Sequence, residues 1–326
     1  MKKIRWGIVG AGNIARKFAV AIRNVDTAEL VGVSSLTRQE SEVFAKAYGI
    51  ETIFDSNDDM AKSDEIDAVY IATPHPFHFT CAQFFLEAKK HVLCEKPLCV
   101  NAKQAIKLKE SAERNGVFLM EAMWTRFLPA TKEMQRLIND GEIGEVLGIK
   151  ADFCYATTPE EDKNIYSNRM AGGSLLDVGV YGLHFSSIFL GEDPEEICAI
   201  SRIGHEVDMH TNVLLKYKNG AISSISSAIA LHKPSDGYIY GTKGYIYIPE
   251  FFGARDFYIC KGEERLHVEK PPMGAGFEEE IYEVCSCIAQ GKTKSDIHPF
   301  DKSIKILGQM DLIREQIGIK YPFDAE

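Results

Sequence analysis

A short glycine-rich turn near the amino terminus constrains the fold more than any other feature of the chain. Gly10 and Gly12 follow the apolar residues 6–9 in the pattern Gly-x-Gly-x-x-Ala, and a helical pattern comes directly after them. The first glycine suits a tight turn, the second keeps the backbone clear for a pyrophosphate, and the small third residue lets helix and strand pack closely. The pattern predicts a dinucleotide site that includes Asn13 and Ile14.

Short apolar segments alternate with helical stretches over the following hundred residues. The apolar segments lie at residues 6–9, 30–34, 53–54, 68–72, 91–93 and 117–120. Gly49 and Gly116 follow two of the helical stretches, where glycine supplies the left-handed conformation that ends a helix. Strands and helices at this spacing indicate a parallel sheet with right-handed crossovers. We predict a Rossmann dinucleotide-binding domain over residues 1–122.

The pattern changes after Trp124 to longer segments that alternate apolar and polar residues. They lie at residues 146–155, 197–203, 209–217, 221–229, 238–248 and 257–268, the last with a turn near Gly262. Asn219 and Gly220 form a hairpin signal, and helical patterns at 132–139, 174–190, 277–290 and 299–317 are expected to cover one sheet face. The fold class is therefore α/β: the Rossmann domain is followed, over residues 123–326, by an α+β domain with a large, mostly antiparallel open sheet.

Composition excludes several classes of partner. The chain has 37 basic and 47 acidic residues, with no basic run longer than a pair, so no nucleic-acid partner is expected. No segment approaches the roughly 20 apolar residues of a membrane span, so we expect no membrane partner and a cytoplasmic protein. The eight cysteines are scattered without zinc-site spacing, so no metal is expected.

The end of the second predicted strand bears on the choice of cofactor. Enzymes that use NAD usually have a carboxylate there for the ribose hydroxyl, but this chain has Ser35, Thr37 and Arg38. Hydroxyls and a guanidinium suit a 2′-phosphate, which favours NADP(H), with NAD(H) possible. The alternative is that Arg38 is an ordinary solvated residue of the first helical turn.

Two further loops follow strands of the same sheet. Thr73, Pro74, His75 and His78 are expected to line the nicotinamide side of the cofactor site, although histidines in such loops often serve as capping or packing groups.

The segment Glu95-Lys96-Pro97 follows the fifth strand, so Glu95 and Lys96 are expected beside the cofactor. There the Lys96 ammonium could polarise a substrate oxygen or exchange a proton. The alternative is a surface lysine paired with Glu95.

Three polar residues recur at helical spacing in the second domain. Asp177, Tyr181 and His184 stand at i, i+4 and i+7, which indicates one helix face behind a Gly-Gly entrance. A phenol and a carboxylate one turn apart could act as an acid and its orienting group. The alternatives are a capping box between Asp177 and Ser174, and a core role for Tyr181.

In combination these motifs resemble the glucose-fructose oxidoreductase, inositol dehydrogenase and rhizopine-catabolism (Gfo/Idh/MocA) family. The resemblance covers essentially the whole chain. Many members have histidine in place of Tyr181 and aspartate in place of His184. The tyrosine, with the segment around Trp124 and Arg126, resembles the branch of dimeric dihydrodiol dehydrogenases and NADP-dependent D-xylose dehydrogenases.

The resemblance implies hydride transfer on a sugar, polyol, diol or related carbonyl compound in carbohydrate metabolism, by a homodimer or higher oligomer. It implies that Lys96 and Tyr181 are catalytic, and that Trp124 and Arg126 border the substrate together with Asp177, Tyr181 and His184. In this hypothesis Tyr181 donates a proton, Lys96 stabilises the alkoxide and Asp177 orients the pair. The alternatives are a non-catalytic dinucleotide sensor and an NAD-preferring sugar or inositol dehydrogenase.

Overall fold

The computed structural model describes residues 3–325, which form two compact units. The first unit comprises the chain up to Cys99, then Lys103–Ala122 and Met273–Ser303. The second comprises Val100–Ala102, Met123–Pro272 and the chain from Ile304 onward.

A six-stranded parallel sheet forms the centre of the first unit. Its strands are β1 (Ile4–Val9), β2 (Ala28–Ser34), β3 (Thr52–Ile53), β4 (Ala68–Ile71), β5 (His91–Glu95) and β6 (Leu119–Ala122), in the order β3-β2-β1-β4-β5-β6. All four residues of β4 are fully buried, as expected for a strand covered on both faces. The order reverses beside β1, and open α/β sheets bind ligands at such a point.

Five helices connect these strands. They are α1 (Asn13–Ala21), α2 (Arg38–Tyr48), α3 (Asn57–Lys62), α4 (His78–Glu87) and α5 (Ala102–Asn115). The Thr37 side chain caps α2 by accepting a hydrogen bond from the Glu40 amide, and the helix ends at Gly49 with φ +63°. Gly116 follows α5 with φ +66°. The predicted glycine stops are therefore confirmed.

An eight-stranded sheet forms the second unit. Its strands are β7 (Val146–Cys154), β8 (Glu196–Gly204), β9 (Val207–Lys216), β10 (Ile222–Ala228), β11 (Gly237–Gly241), β12 (Tyr245–Ile248), β13 (Asp256–Lys261) and β14 (Glu264–Glu269), in the order β14-β13-β12-β11-β7-β10-β9-β8. The β7–β10 pair is parallel and the other pairs are antiparallel. The predicted α/β class and the mostly antiparallel second sheet are confirmed.

Hairpin turns differ in how well the sequence predicted them. Gly220, with φ +82°, lies in the turn between β9 and β10, and Gly262, with φ +57°, lies between β13 and β14, both as expected. The predicted single segment 238–248 is instead the hairpin of β11 and β12. The pattern Tyr-Ile-Tyr occurs both before and after Gly244, so the two strands look like one segment.

Helices α6 (Pro129–Asn139) and α7 (Val180–Leu190) belong to the second unit, and α7 packs on β7 and β10. Residues 168–190 are long and apolar enough to be tested as a membrane span, with a mean hydropathy of 1.2. Of the most apolar window in that stretch, 78% is buried within the protein. Burial to this extent is typical of a helix in the core of a folded protein.

The chain returns to the first unit at Met273–Ser303, a segment that the sequence assigned to the second domain. Helix α8 (Glu278–Ala289) packs near β2, and the Asn24 side-chain amide donates to Glu278 Oε1 at 2.9 Å. The Leu119 amide donates to the Thr293 carbonyl at 3.2 Å. The expectation that residues 277–290 cover the large sheet was therefore wrong, because an apolar helix face fits either sheet. Helix α9 (Phe300–Ile317) follows.

Candidate active site

The glycine turn has the geometry of a phosphate-binding turn. Gly10 has φ +94°, and a Cβ atom there would lie 2.8 Å from the Ala72 carbonyl oxygen. Gly12 precedes α1, and a Cβ atom on it would have no heavy atom within 4 Å, so this is open space that a side chain would fill. The first turn of α1 contains no acidic residue and no side chain caps it. Helix amides in this arrangement fit an anionic pyrophosphate.

Asn13 and Ile14 begin α1 directly beside this turn; Asn13 is exposed and Ile14 is partly buried. The predicted pyrophosphate residues therefore share one helix start within the first unit. This part of the chain fits the dinucleotide that the motif predicts.

The residues that follow β2 are held by nearby carboxylates. The Ser35 hydroxyl donates to Glu40 Oε2 at 2.8 Å. Arg38 donates from Nε to Glu42 Oε1 at 2.9 Å and also pairs with Asp55. The Arg38 side chain is 56% exposed. A 2′-phosphate at this edge could bind the guanidinium only in competition with these two carboxylates.

The loop after β4 contains one residue in an unexpected role. His78 is fully buried; its Nδ1 lies 2.8 Å from the Pro97 carbonyl oxygen and its Nε2 lies 2.7 Å from that of Thr73. Burial lowers the pKa of His78, while the two carbonyl groups oppose that shift. The ring thus joins the β4 loop to the turn after β5. It is a positioning group, which corrects the expectation that His78 contacts the cofactor.

The other predicted loop residues are more accessible. Pro74 is exposed, and Thr73 and His75 are partly buried. The His75 ring centre lies 5.8 Å from that of His78. Thr73, Pro74 and His75 are thus the members of this group whose surfaces a cofactor could contact.

The segment after β5 has a cis peptide bond between Lys96 and Pro97. Glu95 is 6% exposed and accepts hydrogen bonds from the Tyr70 hydroxyl and, at 3.2 Å, from the Lys96 amide. Burial raises the pKa of Glu95, and the charge of Lys96 lowers it. Because Glu95 is buried, an exposed surface pair between these two residues does not describe the turn.

A second buried carboxylate, which the sequence reasoning did not assign, contacts the same turn. Glu121 Oε1 accepts a hydrogen bond from the Leu98 amide at 2.9 Å, and Oε2 accepts one from the Ser303 hydroxyl at 2.5 Å. Nε2 of His298 lies 3.3 Å from Oε2. A glutamate inside an apolar strand was the available signal, whereas nothing in the sequence connected it to residues about 180 positions away.

In the second unit, Tyr181 lies among aromatic side chains and is 8% exposed. The Trp124 indole Nε1 donates to the Tyr181 hydroxyl at 3.3 Å. The Tyr181 ring centre lies 5.4 Å from that of Phe153 and 6.0 Å from that of Phe252. Because an indole nitrogen only donates, the phenol accepts in this bond and does not use its own proton there.

Asp177 has a different partner from the one in the capping-box alternative. Its Oδ2 accepts a hydrogen bond from the Tyr155 hydroxyl at 2.7 Å. Ser174 and the Leu175 amide instead both donate to Asp208 Oδ2 at 2.7 Å, so the capping-box interpretation of Asp177 was wrong. Burial, together with the Asp177 carboxylate, raises the pKa of Tyr155.

The predicted substrate contacts of Arg126 and His184 are corrected by the structure. Arg126 is 4% exposed and His184 is fully buried. The guanidinium lies 3.2 Å from His184 Nδ1 through Nε and 3.0 Å through Nη2, and it also donates to the Ser187 hydroxyl. These groups face each other inside the protein, so little of Arg126 and none of His184 is accessible to solvent.

Residues 4–123 match the model of an oxidoreductase family with an NAD-binding Rossmann fold, GFO_IDH_MocA. Residues 131–247 match the C-terminal domain of the same family. The chain belongs to the GFO/IDH/MocA family. The resemblance drawn from the motifs is confirmed, and the chain is a family oxidoreductase.

Curated relatives match over nearly the whole chain. Trans-1,2-dihydrobenzene-1,2-diol dehydrogenase of Danio rerio is 33% identical over 99% of both chains. The mouse (Mus musculus) enzyme of the same name is 32% identical over 98% of this chain and 99% of its own.

Solved structures share the fold. A 3-ketoreductase from Actinomadura kijaniata, in complex with NADP and TDP-benzene, has a TM-score of 0.88 and 24% identity and covers 98% of this chain and 99% of its own. An aldose-aldose oxidoreductase from Caulobacter crescentus has a TM-score of 0.89 and 23% identity over 97% of both chains. The two-unit architecture is therefore one that known oxidoreductases use.

Proposed function

We propose that the protein is an NADP(H)-dependent oxidoreductase that acts on a CH–OH group of a small diol, sugar or polyol, or on the corresponding carbonyl. The single observation that carries the proposal is the full-length similarity to trans-dihydrodiol dehydrogenases. The acid-base side chains Lys96 and Tyr181 support it.

The cofactor residues follow from the edge of the first sheet. Gly10, Gly12, Asn13 and Ile14 would hold the pyrophosphate at the start of α1. Ser35, Thr37 and Arg38 would face the 2′-phosphate, and Thr73, Pro74, His75, Glu95 and Lys96 would border the nicotinamide. When bound, the nicotinamide supplies or accepts the hydride.

The side chains of this protein supply the proton chemistry. Tyr181 donates its proton to the developing alkoxide in the reducing direction, and the Lys96 ammonium stabilises the negative charge on that oxygen. Asp177, held by Tyr155, orients these groups. In the oxidising direction Tyr181 takes the proton back.

The surroundings of Tyr181 favour a substrate with an apolar face. Trp124, Phe153 and Phe252 surround the phenol with aromatic surface. Aromatic rings pack well against the apolar faces of sugars and of cyclic diols. A cyclic vicinal diol, which offers two hydroxyls and one apolar face, fits this chemistry.

The open face of the second sheet supports a homodimer. Exposed apolar side chains share that face; they are Ile200, Leu214, Ile222, Tyr240 and Tyr245. Helix α7 packs on the sheet at β7 and β10. A second copy of the chain would bury this apolar face, and we place the dimer in the cytoplasm.

The test is a substrate screen that follows nicotinamide absorbance. Purified protein is mixed with NADP or NAD and a cyclic trans-diol, an aldose or an inositol, and with NADPH and a dicarbonyl for the reverse direction. We expect NADP-dependent turnover with a diol or sugar. Tight NADP binding without turnover on any substrate of the panel would instead indicate a dinucleotide sensor.

A further inference from the structure

Glu121 is a buried carboxylate that hydrogen-bond donors from distant parts of the chain contact. It lies in β6, is 1% exposed, and accepts hydrogen bonds from the Leu98 amide and the Ser303 hydroxyl. Ser303 and His298 are both fully buried. Burying an ionised group is unfavourable unless several donors stabilise it. The protein maintains such a carboxylate beside the turn that carries Lys96.

The Leu98 amide is the anchor of that turn on its carboxyl side. Pro97 separates it from Lys96 and has no amide hydrogen, so Leu98 supplies the first backbone donor after the lysine. On the amino side, Glu95 accepts from the Lys96 amide at 3.2 Å. The Pro97 carbonyl faces His78 at 2.8 Å.

The two carboxylates that contact this turn come from neighbouring strands of one sheet. Glu95 ends β5, Glu121 lies in the adjacent β6, and their strands pair in parallel, with Cys94 opposite Glu121. The charge of Glu121 also raises the pKa of Glu95 and of His78, so the three groups lie within electrostatic reach of one another. A substitution of Glu121 should therefore change the conformation of the turn that carries Lys96.

We infer that Glu121 is a positioning residue: its carboxylate, held by Ser303 and adjacent to His298, fixes the Leu98 amide and with it the direction in which the Lys96 side chain leaves the turn. The inference rests on the proposed role of Lys96 in proton chemistry. A displacement of about 1 Å in a catalytic group such as the Lys96 ammonium can lower the rate of the chemical step by about a hundredfold.

The test compares two substitutions of Glu121. Glu121→Met removes the acceptor atoms and should lower kcat by about 100-fold, while KM for NADP changes by less than about threefold, because the glycine turn is untouched. Glu121→Gln keeps an acceptor oxygen and should retain kcat within about fivefold of the wild type. The inference would be overturned if Glu121→Gln lowered kcat as much as Glu121→Met does. It would also be overturned if the kcat of Glu121→Met stayed near the wild-type value.

Glu278 offers a matched control. It is 1% exposed, lies in the same unit, and accepts a backbone hydrogen bond from Gly276 at 2.9 Å and a side-chain bond from Asn24. Glu278→Met should lower the melting temperature and leave kcat unchanged. If Glu121→Met and Glu278→Met lowered kcat equally, general destabilisation would explain the loss. The role of Glu121 as a positioning residue would then be rejected.

Hydrogen exchange gives a readout that needs no turnover. In a peptide spanning Lys96 to Leu98 only the Lys96 and Leu98 amides carry an exchangeable backbone hydrogen within this turn. Exchange there should speed up in Glu121→Met and stay slow in Glu121→Gln. Unchanged exchange in the Met variant contradicts the inference, whereas absent turnover in the wild type, with altered exchange in the variant, rejects the proposed function alone.

If Glu121→Met does not accumulate as folded protein, Ser303→Ala tests the inference in its place. This variant keeps the carboxylate and removes one of its donors, so kcat should fall by about three- to tenfold with an unchanged KM for NADP. A Ser303→Ala enzyme with wild-type kcat and wild-type exchange at Leu98 would overturn the inference.

Discussion

At the scale of single residues, the proposed catalytic roles of the Tyr181 phenol and the Lys96 ammonium can be tested one at a time. Tyr181→Phe removes the proton donor while keeping the ring among Trp124 and Phe252, and Lys96→Met removes the charge. Each should lower kcat by about 100-fold or more, since general acid-base groups contribute about that much. Steady-state kinetics with NADP, together with direct titration of the cofactor, measure both effects; the dissociation constant for NADP should stay within about threefold.

Tyr166 is the control for the tyrosine. Its hydroxyl also makes a partly buried hydrogen bond in the second unit, to the Thr157 carbonyl at 2.6 Å. Tyr166→Phe should cost stability and spare kcat. If Tyr181→Phe and Lys96→Met both turn over at the wild-type rate, neither residue performs the proton chemistry.

The proposed role of Arg38 in cofactor choice can be tested by substitution. Arg38→Leu should raise the dissociation constant for NADPH by about 10- to 100-fold and leave that for NADH nearly unchanged, because a charge-assisted bond to the 2′-phosphate is lost. Arg136→Leu is the control, since Arg136 is equally exposed at 56% and also pairs with two carboxylates. Equal changes for the two cofactors would assign Arg38 to surface pairing with Glu42 and Asp55.

Residue types alone did not predict the hydrogen-bond partners of the side chains in the candidate site. The alternative that paired Asp177 with Ser174 was wrong, since Asp177 accepts from Tyr155. Arg126 was expected at the substrate but faces His184. Local spacing indicates which positions share a helix face, whereas hydrogen-bond partners depend on strands and turns that are distant in sequence.

At the scale of elements, Asp208 stabilises the start of the segment that carries Asp177 and Tyr181. It is fully buried and accepts hydrogen bonds from Ser174, the Leu175 amide and, at 2.8 Å, Thr211. Residues Leu175–Gly179 then form a π-helical turn before α7. Such wide turns occur often at functional sites.

The raised pKa of Asp208 predicts how the free energy of unfolding depends on pH. Burial raises the pKa of Asp208 from 3.8 to about 6. The folded state therefore binds a proton more tightly than the unfolded state, so this group favours folding below about pH 4 and loses that contribution as the pH rises through about 6. The loss corresponds to about 3 kcal/mol in the free energy of unfolding.

Asp208→Asn measures this contribution. Urea unfolding of wild type and variant between about pH 4 and pH 7.5 gives the difference in their free energies of unfolding. We expect the wild type to lose roughly 2–3 kcal/mol relative to the variant as the pH rises. A pH-independent difference would mean that Asp208 does not change its protonation on unfolding in this range.

Element types were predictable wherever local patterns decide them. The strands of the first sheet and the helix stops at Gly49 and Gly116 appear where the pattern put them. The packing partner of α8 did not follow from its pattern, because Ile281 and Val284 present an apolar stripe that either sheet could bury. Neighbours along the chain specify a helix, and only the assembled core specifies which sheet it covers.

At the scale of the whole molecule, the open sheet face makes a prediction about assembly. Leu214 and Ile222 are each 52% exposed on the same face of β9 and β10. The double variant Leu214→Lys, Ile222→Lys should convert the proposed dimer to monomers, because it places two charges in an apolar interface. Sedimentation equilibrium measures the mass of each species.

Val43→Lys is the control for assembly. Val43 is 63% exposed on α2 in the first unit, whereas the open sheet face belongs to the second unit. This variant should sediment as the wild type does. A wild type that sediments as a monomer, or a double variant that remains a dimer, would contradict the proposed interface.

The amino-acid sequence was sufficient to predict the fold class, the glycine turn and the position of Lys96 after a parallel strand. These features follow from backbone sterics and from the periodicity of buried residues, which act between neighbours along the chain. Tertiary structure decided that Glu121, His298 and Ser303 meet beside the lysine turn, and that Arg126 and His184 face inward. Buried polar groups must find hydrogen-bond partners, and folding chooses those partners from residues far apart in the chain.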